Sequence, residues 1–300
     1  MPLSRSQLGT LFVLVSAIGF GTSGTIQALA PAQATPYVIV GVRTLVGSVC
    51  LFLWCLYKNK LPQSIKAIPF GWVFLSAFFL MVATLSFFLG VSQIGVAAGS
   101  LISTGMTPVW TAIIALIVYK KIPKAEWYFA TILAVVGVVM INGIGEIPRE
   151  KILYFHFLLI NGLAYACYIC VTPKLIKNLD PEVATMLVIA VVAICFLPVY
   201  FLFPSGWILG SVRGISVALA LGIFTAGIAY TFLATGLKYT TPAMAATVGL
   251  AEPVVAALLG IFLLQEYASP RSLCGIALVF FALVILVFAD NRRMRINKAT

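Results

Sequence analysis

Two stretches of this chain run without a charged residue for longer than a soluble fold tolerates: Leu8 to Ala34 and Pro69 to Tyr119. About 20 consecutive apolar residues suffice to cross the hydrocarbon of a bilayer as a helix. Only 9% of the 300 residues are charged and 62% are hydrophobic. A soluble domain covers itself with roughly 25% charged residues, so lipid is the better outer solvent here. Strands of a membrane barrel would alternate apolar and polar residues over short segments. These runs are continuous instead, and a backbone in lipid must close its own hydrogen bonds. The expected fold is an all-α integral membrane protein.

Apolar length and breakers give ten expected spans, at residues 8–29, 37–57, 69–91, 96–119, 126–144, 153–173, 182–203, 212–235, 242–264 and 270–289. Pro31, Pro36, Pro62, Pro69, Pro123, Pro148, Pro181, Pro204, Pro242 and Pro270 mark the joints. Proline in the first turn of a helix forfeits no hydrogen bond it would otherwise make. Arg5 before an apolar run has the outline of a secretion signal, but the run is long and more follow, so an uncleaved first helix is expected. With the N-terminus in the cytoplasm, the inside segments carry Arg5, Lys58, Lys60, Lys66, Lys120, Lys121, Lys124, Lys174, Lys177, Lys238, Arg292, Arg293, Arg295 and Lys298. The outside segments carry only Arg149, Lys151, Arg213 and Arg271. Basic residues accumulate on the cytoplasmic side, so both termini are expected there, in a cytoplasmic (inner) membrane.

A shift of 145 residues lays Pro36 on Pro181, Phe87 on Phe232 and Thr107-Pro108-Val109 on Glu252-Pro253-Val254. The expected spans superpose five on five, dividing the chain into repeats at 8–144 and 153–289 with a basic cytoplasmic tail at 290–300. An odd number of spans per repeat inserts the second half upside down. Inverted repeats are a common architecture of secondary transporters, with the site near the midplane between the halves and broken helices lining it.

The run Gly249-Leu-Ala-Glu252-Pro253-Val-Val-Ala-Ala-Leu-Leu-Gly260 with Gln265-Glu266, and the earlier Gly105-Met-Thr-Pro108-Val-Trp-Thr-Ala, resemble the EamA-type branch of the drug/metabolite transporter superfamily. The resemblance covers almost the whole chain. It implies a secondary transporter that moves small metabolites without ATP. It also implies a central cavity between the halves, with helices five and ten peripheral. Amino acids and related zwitterions are the first cargo to expect, and export the direction. Two positions depart from the family pattern. Phe20 precedes Gly21-Thr22 where the family often has tryptophan, and Lys121 stands where an acidic residue usually follows helix four. Both bear on cargo identity rather than on fold.

A charge inside a span is costly and marks function by default. Glu252 falls about ten residues into the ninth expected span, near the midplane at 1.5 Å per residue. It is a candidate proton or cation site, or else a carboxyl group that ties two helices together. Arg43 lies shallower, in the second span. It is a candidate clamp for a cargo carboxylate or partner to Glu252, or else a side chain that snorkels to the outer interface. Polar and aromatic residues at mid-span complete the expected lining: Thr22 and Gln27 on the first helix, Ser103 and Thr107 on the fourth, Asn161, Tyr165 and Tyr168 on the sixth, and Tyr230 on the eighth. Residues 161, 165 and 168 share one helical face. Membrane hydroxyls also bond helix to helix, so a packing role competes at each of these positions.

Other chemistries find little support. Gly19-Phe-Gly21-Thr-Ser-Gly24 fits the dinucleotide pattern, yet no strand precedes it and the first acidic residue of the chain is Glu126. That pattern needs an acidic residue about 20 positions on, so these glycines are expected to allow close helix packing or local flexibility in helix one. The six cysteines fall inside expected spans, including Cys167-x-x-Cys170, and with one histidine, His156, they offer no metal or disulfide framework. No cofactor is expected. The net charge of +11 sits between apolar runs where topology selects it, and so argues against nucleic acid. Expected partners are a small-molecule substrate, protons, membrane lipids and a second copy of the chain. A membrane enzyme would need clustered acidic or histidine groups, and the eight acidic residues are scattered. A structural subunit, helped by pairs such as Gly95 and Gly99, would have a packed apolar interior where a transporter has a polar cavity.

Overall fold

The computed structural model describes residues 4–62, 64–94, 96–120, 125–142, 153–263 and 269–299. The features expected at Gly95, Lys121, Pro123, Lys124, Pro148, Arg149, Lys151, Gln265 and Glu266 lie outside the described residues. So do the side chains of the basic residues from Arg292 to Lys298. Among the described residues the regular structure is helical throughout, with no strand. In chain order the helices are α1 (Arg5–Ala28), α2 (Pro36–Tyr57), α3 (Phe70–Ile94), α4 (Val96–Tyr119), α5 (Ala125–Asn142) and α6 (Phe155–Leu175). They continue with α7 (Pro181–Leu202), α8 (Val212–Leu237), α9 (Pro242–Leu263) and α10 (Pro270–Ala299). Seven of them are long and apolar enough to cross a bilayer; the apolar parts of α4, α5 and α10, Ile102–Val118, Ala125–Ile141 and Pro270–Leu286, are shorter. Helix α10 continues to Ala299, so the expected tail at 290–300 is largely helical.

Local chemistry sets the helix starts. Ser4 and Gln7 form a reciprocal capping box, with the Gln7 amide on Ser4 Oγ at 3.1 Å and the Ser4 amide on Gln7 Oε1 at 2.8 Å. Thr35 and Thr241 cap α2 and α9, each followed by a proline in the first turn. Such caps satisfy amides that hydrocarbon would leave bare. Hydroxyls within the spans mostly look after themselves: Thr44, Thr107, Thr111, Thr172, Thr235 and Thr247 each donate to the carbonyl four residues back.

The most extensive contacts join the first five helices to the last five: α5 with α10, α3 with α6, α2 with α7, α4 with α6, α1 with α8 and α9, and α2 with α8. Lipid tails are as apolar as leucine, so helices in lipid associate through close packing at small residues rather than by expelling water. Glycines supply it. A methyl group on Gly236 would come within 2.6 Å of Val13 Cγ2 and 2.9 Å of the Gly9 carbonyl, holding α8 on α1. Gly137 would meet the Gly275 carbonyl at 2.8 Å and Val279 Cγ2 at 2.7 Å, holding α5 on α10. Gly47 would meet Ala226 Cβ at 2.7 Å, holding α2 on α8. Gly99 packs inside the chain, against Val91. Large apolar side chains cover the outside, among them Phe201 at 91% and Phe262 at 77% exposure.

At one end of the α2–α7 seam Lys60 pairs with Glu182, and Trp54 Nε1 donates to the same carboxylate at 3.4 Å. At the other end Tyr37 stacks on Phe203 with ring centroids 4.7 Å apart.

Replacing Gly236 or Gly137 by valine forces the seams apart. Overpacking of this kind costs about 1–3 kcal/mol. Thermal unfolding of purified Gly236→Val is expected to show a clear loss of stability, while valine at Gly71, where a methyl group would meet nothing within 4 Å, leaves it unchanged.

Candidate functional site

Helices α1, α2, α3, α4, α6, α8 and α9 converge on a cavity of about 480 Å³, counted out through its open side. Its wall is made by Phe20, Ser23, Arg43, Ala83, Thr84, Phe87, Ser103, Thr104, Thr107, Asn161, Tyr165, Tyr230 and Glu252. Seven of the ten residues expected from sequence are therefore brought together: Glu252, Arg43, Ser103, Thr107, Asn161, Tyr165 and Tyr230. Tyr168 stands one layer back, buried, stacked on Tyr165 at 6.1 Å and edge-on to Tyr230 at 5.7 Å. Thr22 and Gln27 are outside this wall. The Thr22 hydroxyl donates to the Gly19 carbonyl of its own helix at 2.7 Å, and Gln27 Oε1 is buried without a partner among the described residues.

Arg43 is 5% exposed and reaches no interface. Its position depends on a local irregularity in α8. Residues Leu221–Ile228 form a π-helical turn, and the Ala229 amide reaches back five residues to Phe224. A regular helix would have given that amide to Thr225. The released Thr225 carbonyl accepts from Arg43 Nη2 at 3.0 Å. The rings of Tyr230 and Phe88 sit 5.5 and 5.7 Å from the guanidinium carbon, close enough for attraction between cation and ring face. Arg43 Nε has no partner among the described residues, so the guanidinium retains donor capacity beside the cavity.

Glu252 owes its place to a break in α9. The helix runs Pro242–Val248, turns at Gly249 and Leu250, and resumes at Ala251–Leu263. Pro253 supplies no amide to Gly249; the Glu252 amide donates there instead, at 2.9 Å. Glu252 thus lies in the first turn of the second half-helix, where the helix dipole favours a negative charge. Gly21 lets α1 touch this turn: a methyl group there would meet the Glu252 carbonyl at 2.9 Å and Val255 Cβ at 2.6 Å. Two glycines of the α1 pattern thus serve packing, Gly19 against α8 and Gly21 against α9.

Asn161 bridges α6 to α3, donating from Nδ2 to the Ala83 carbonyl at 2.8 Å. Among the described residues the ion pair is Lys60–Glu182; none joins Arg43 to Glu252. Both charges face one cavity without neutralising each other in contact. That arrangement can hold a ligand carrying both signs.

A second chamber, about 360 Å³, adjoins the first and shares Phe20, Thr104, Thr107, Tyr165 and Glu252 with it. Val13, Ser16, Ala17, Ile169, Leu233, Ala245, Ala246 and Gly249 complete it. Phe20 packs edge-on to Tyr230 at 4.7 Å and to Tyr165 at 6.3 Å. Arg43 lines only the first chamber; Glu252 lines both. Ser23, Thr84 and Thr104 are polar lining residues outside the ten candidates; the signal at Thr104 was its place one turn before Pro108. Ala83 and Phe87 gave no polar signal at all. His156 is exposed at the start of α6, against the Leu153 carbonyl and the Phe157 ring.

Arg43→Met should leave the buried Thr225 carbonyl without its donor. Leaving such a group unsatisfied costs about 1–3 kcal/mol, measurable as a lower unfolding temperature in detergent. Thr225→Val should cost less, because its hydroxyl serves only the Leu221 carbonyl.

Comparison with known proteins places this architecture. The EamA-like transporter family model matches residues 7–143 and again 153–288. The uncharacterized transporter YwfM of Bacillus subtilis (strain 168) is 32% identical over 289 residues, covering 96% of this chain and 97% of its own. A solved crystal structure superposes with a TM-score of 0.79 over 95% of this chain and 98% of its own, at 15% identity, which shows the shared fold alone. A match of both halves and a relative aligned end to end lead to one conclusion: the chain belongs to the EamA-like transporter family.

Proposed function

We propose that the chain is a secondary transporter that exports small metabolites, with amino acids and related zwitterions as its first cargo. The observation that carries this reading is the cavity between the two family-matched segments, with Arg43 and Glu252 in one wall and no ion pair between them. A zwitterion supplies what each lacks. Its carboxylate suits the guanidinium, and its ammonium group suits the carboxylate. Ser103, Thr107, Asn161, Tyr165 and Tyr230 would fix its orientation, as a few polar groups do in a largely apolar pocket. Proton coupling through Glu252 is part of the proposal, since a carboxyl group lining both chambers can exchange a proton from either.

The mechanism follows from a ten-span, two-repeat reading with both termini in the cytoplasm of an inner membrane. Two features support the repeat. The family model matches each segment separately. Exchanging the segments also converts the helix contacts into one another: α3–α6 becomes α8–α1, α4–α6 becomes α9–α1, and α2–α7 and α5–α10 map onto themselves. A pseudo-two-fold axis would therefore pass through the α2–α7 and α5–α10 crossings. The six helices between these seams carry nearly all of the cavity wall and would rock about it, exposing the site to each side in turn.

Uptake of labelled amino acids into proteoliposomes tests the reading. Saturable, protein-dependent uptake is expected, and Glu252→Gln should lower it and abolish its response to an imposed pH gradient. Unchanged coupling in that variant rules out the proton role. Absence of uptake of any zwitterion by folded protein rules out the cargo class.

A further inference from the structure

We infer that the break in α9 is a binding site for a compact monovalent cation, seated in the second chamber against Glu252. The inference deepens the transporter reading and assigns the chamber that Arg43 does not reach. The cation is an alkali ion or the ammonium group of the cargo; both present one positive charge to oxygen ligands.

The first observation is the backbone. In a continuous helix the Ala246 carbonyl would accept from the Leu250 amide, and the Val248 carbonyl from the Glu252 amide. Here the Leu250 amide turns to Thr247 at 3.1 Å and the Glu252 amide to Gly249 at 2.9 Å. The Ala246 and Val248 carbonyls thereby lose the amides that a continuous helix would give them. Ala246 and Gly249 line the chamber. The first half of α9 ends there, and a helix C-terminus carries partial negative charge. Interrupted membrane helices use such unwound carbonyls and half-helix C-termini to hold cations.

The second observation is independent of the helix break. Ser16 is 1% exposed, lines the same chamber, and its Oγ has no hydrogen-bond partner among the described residues. Buried hydroxyls nearly always have one. The other hydroxyl groups lining the chamber, on Thr104, Thr107 and Tyr165, add oxygen ligands, and Glu252 adds the negative charge. Carboxylate, carbonyl and hydroxyl oxygens are the donor set of hard cations. Among the described residues no basic side chain lines the chamber. Arg43 faces only the first chamber, so it favours an anionic group there and leaves the second to positive charge.

The test reads binding and needs no transport. Thermal unfolding of the purified full-length protein is followed while NaCl, or methylammonium chloride, replaces choline chloride at constant ionic strength and pH. At least one of the two small cations should raise the unfolding temperature saturably. Glu252→Gln should abolish the shift, and Ser16→Ala, a smaller change that keeps the fold, should raise the half-saturating concentration several-fold. A response to sodium identifies an alkali-ion site; a response to methylammonium alone identifies the seat of the cargo's ammonium group. Equal unfolding temperatures in all three salts overturn the inference, as does a shift that survives unaltered in Ser16→Ala and in a folded Glu252→Gln. Failure of the transporter reading looks different: a cation-dependent shift in protein that takes up nothing.

Discussion

Arg43 and Glu252 are ionisable groups deep in apolar helices, and hydrocarbon offers neither of them water. A charged side chain at the bilayer centre costs about 2.5–3.5 kcal/mol on insertion scales, so both must face protein or an internal cavity. The helix packing is arranged to that end. Two helices lose their regularity at the points that serve these charges. The π turn of α8 releases the Thr225 carbonyl for Arg43, and the turn at Gly249–Leu250 sets Glu252 at the head of a half-helix. Irregular backbone is tolerated in a membrane where it is buried in protein or lines a cavity, and these two departures meet that condition.

Close approach makes the arrangement possible. Glycine contacts at α1–α8, α2–α8, α5–α10 and α1–α9 bring helix axes near enough for backbone carbonyls to touch neighbouring helices. The same contacts run chiefly between the first and second halves of the chain. The Lys60–Glu182 pair and the Tyr37–Phe203 stack mark the two ends of the α2–α7 seam.

Sequence made the helical fold legible because hydrocarbon permits few alternatives. Continuous apolar length, proline at helix starts and the absence of alternation leave helices as the solution. Arg43 and Glu252 were legible for the same reason, since charge is conspicuous where it is expensive. Thr22 and Gln27 stand outside both chambers, and sequence could not show it because a hydroxyl or amide at mid-span looks alike whether it faces a cavity or its own backbone; Thr22 bonds Gly19. Tyr168 shares a helical face with Tyr165, yet supports it from behind. Phe20, Ala83 and Phe87 carry no polar mark, and only the packing of seven helices brings them to the cavity. The turn in α9 was foreshadowed by Pro253; nothing comparable announces the π turn at Leu221–Ile228.

The central claim is that one cavity is opened to each side of the membrane in turn. Thr104 lines both chambers, so a single cysteine there, in a background without the six native cysteines, reports on access. Labelling with a membrane-impermeant thiol reagent is measured in sealed vesicles, from one face and then from the other. The account predicts labelling from both faces, slowed from both by cargo. Labelling from one face alone, or from neither, would contradict it.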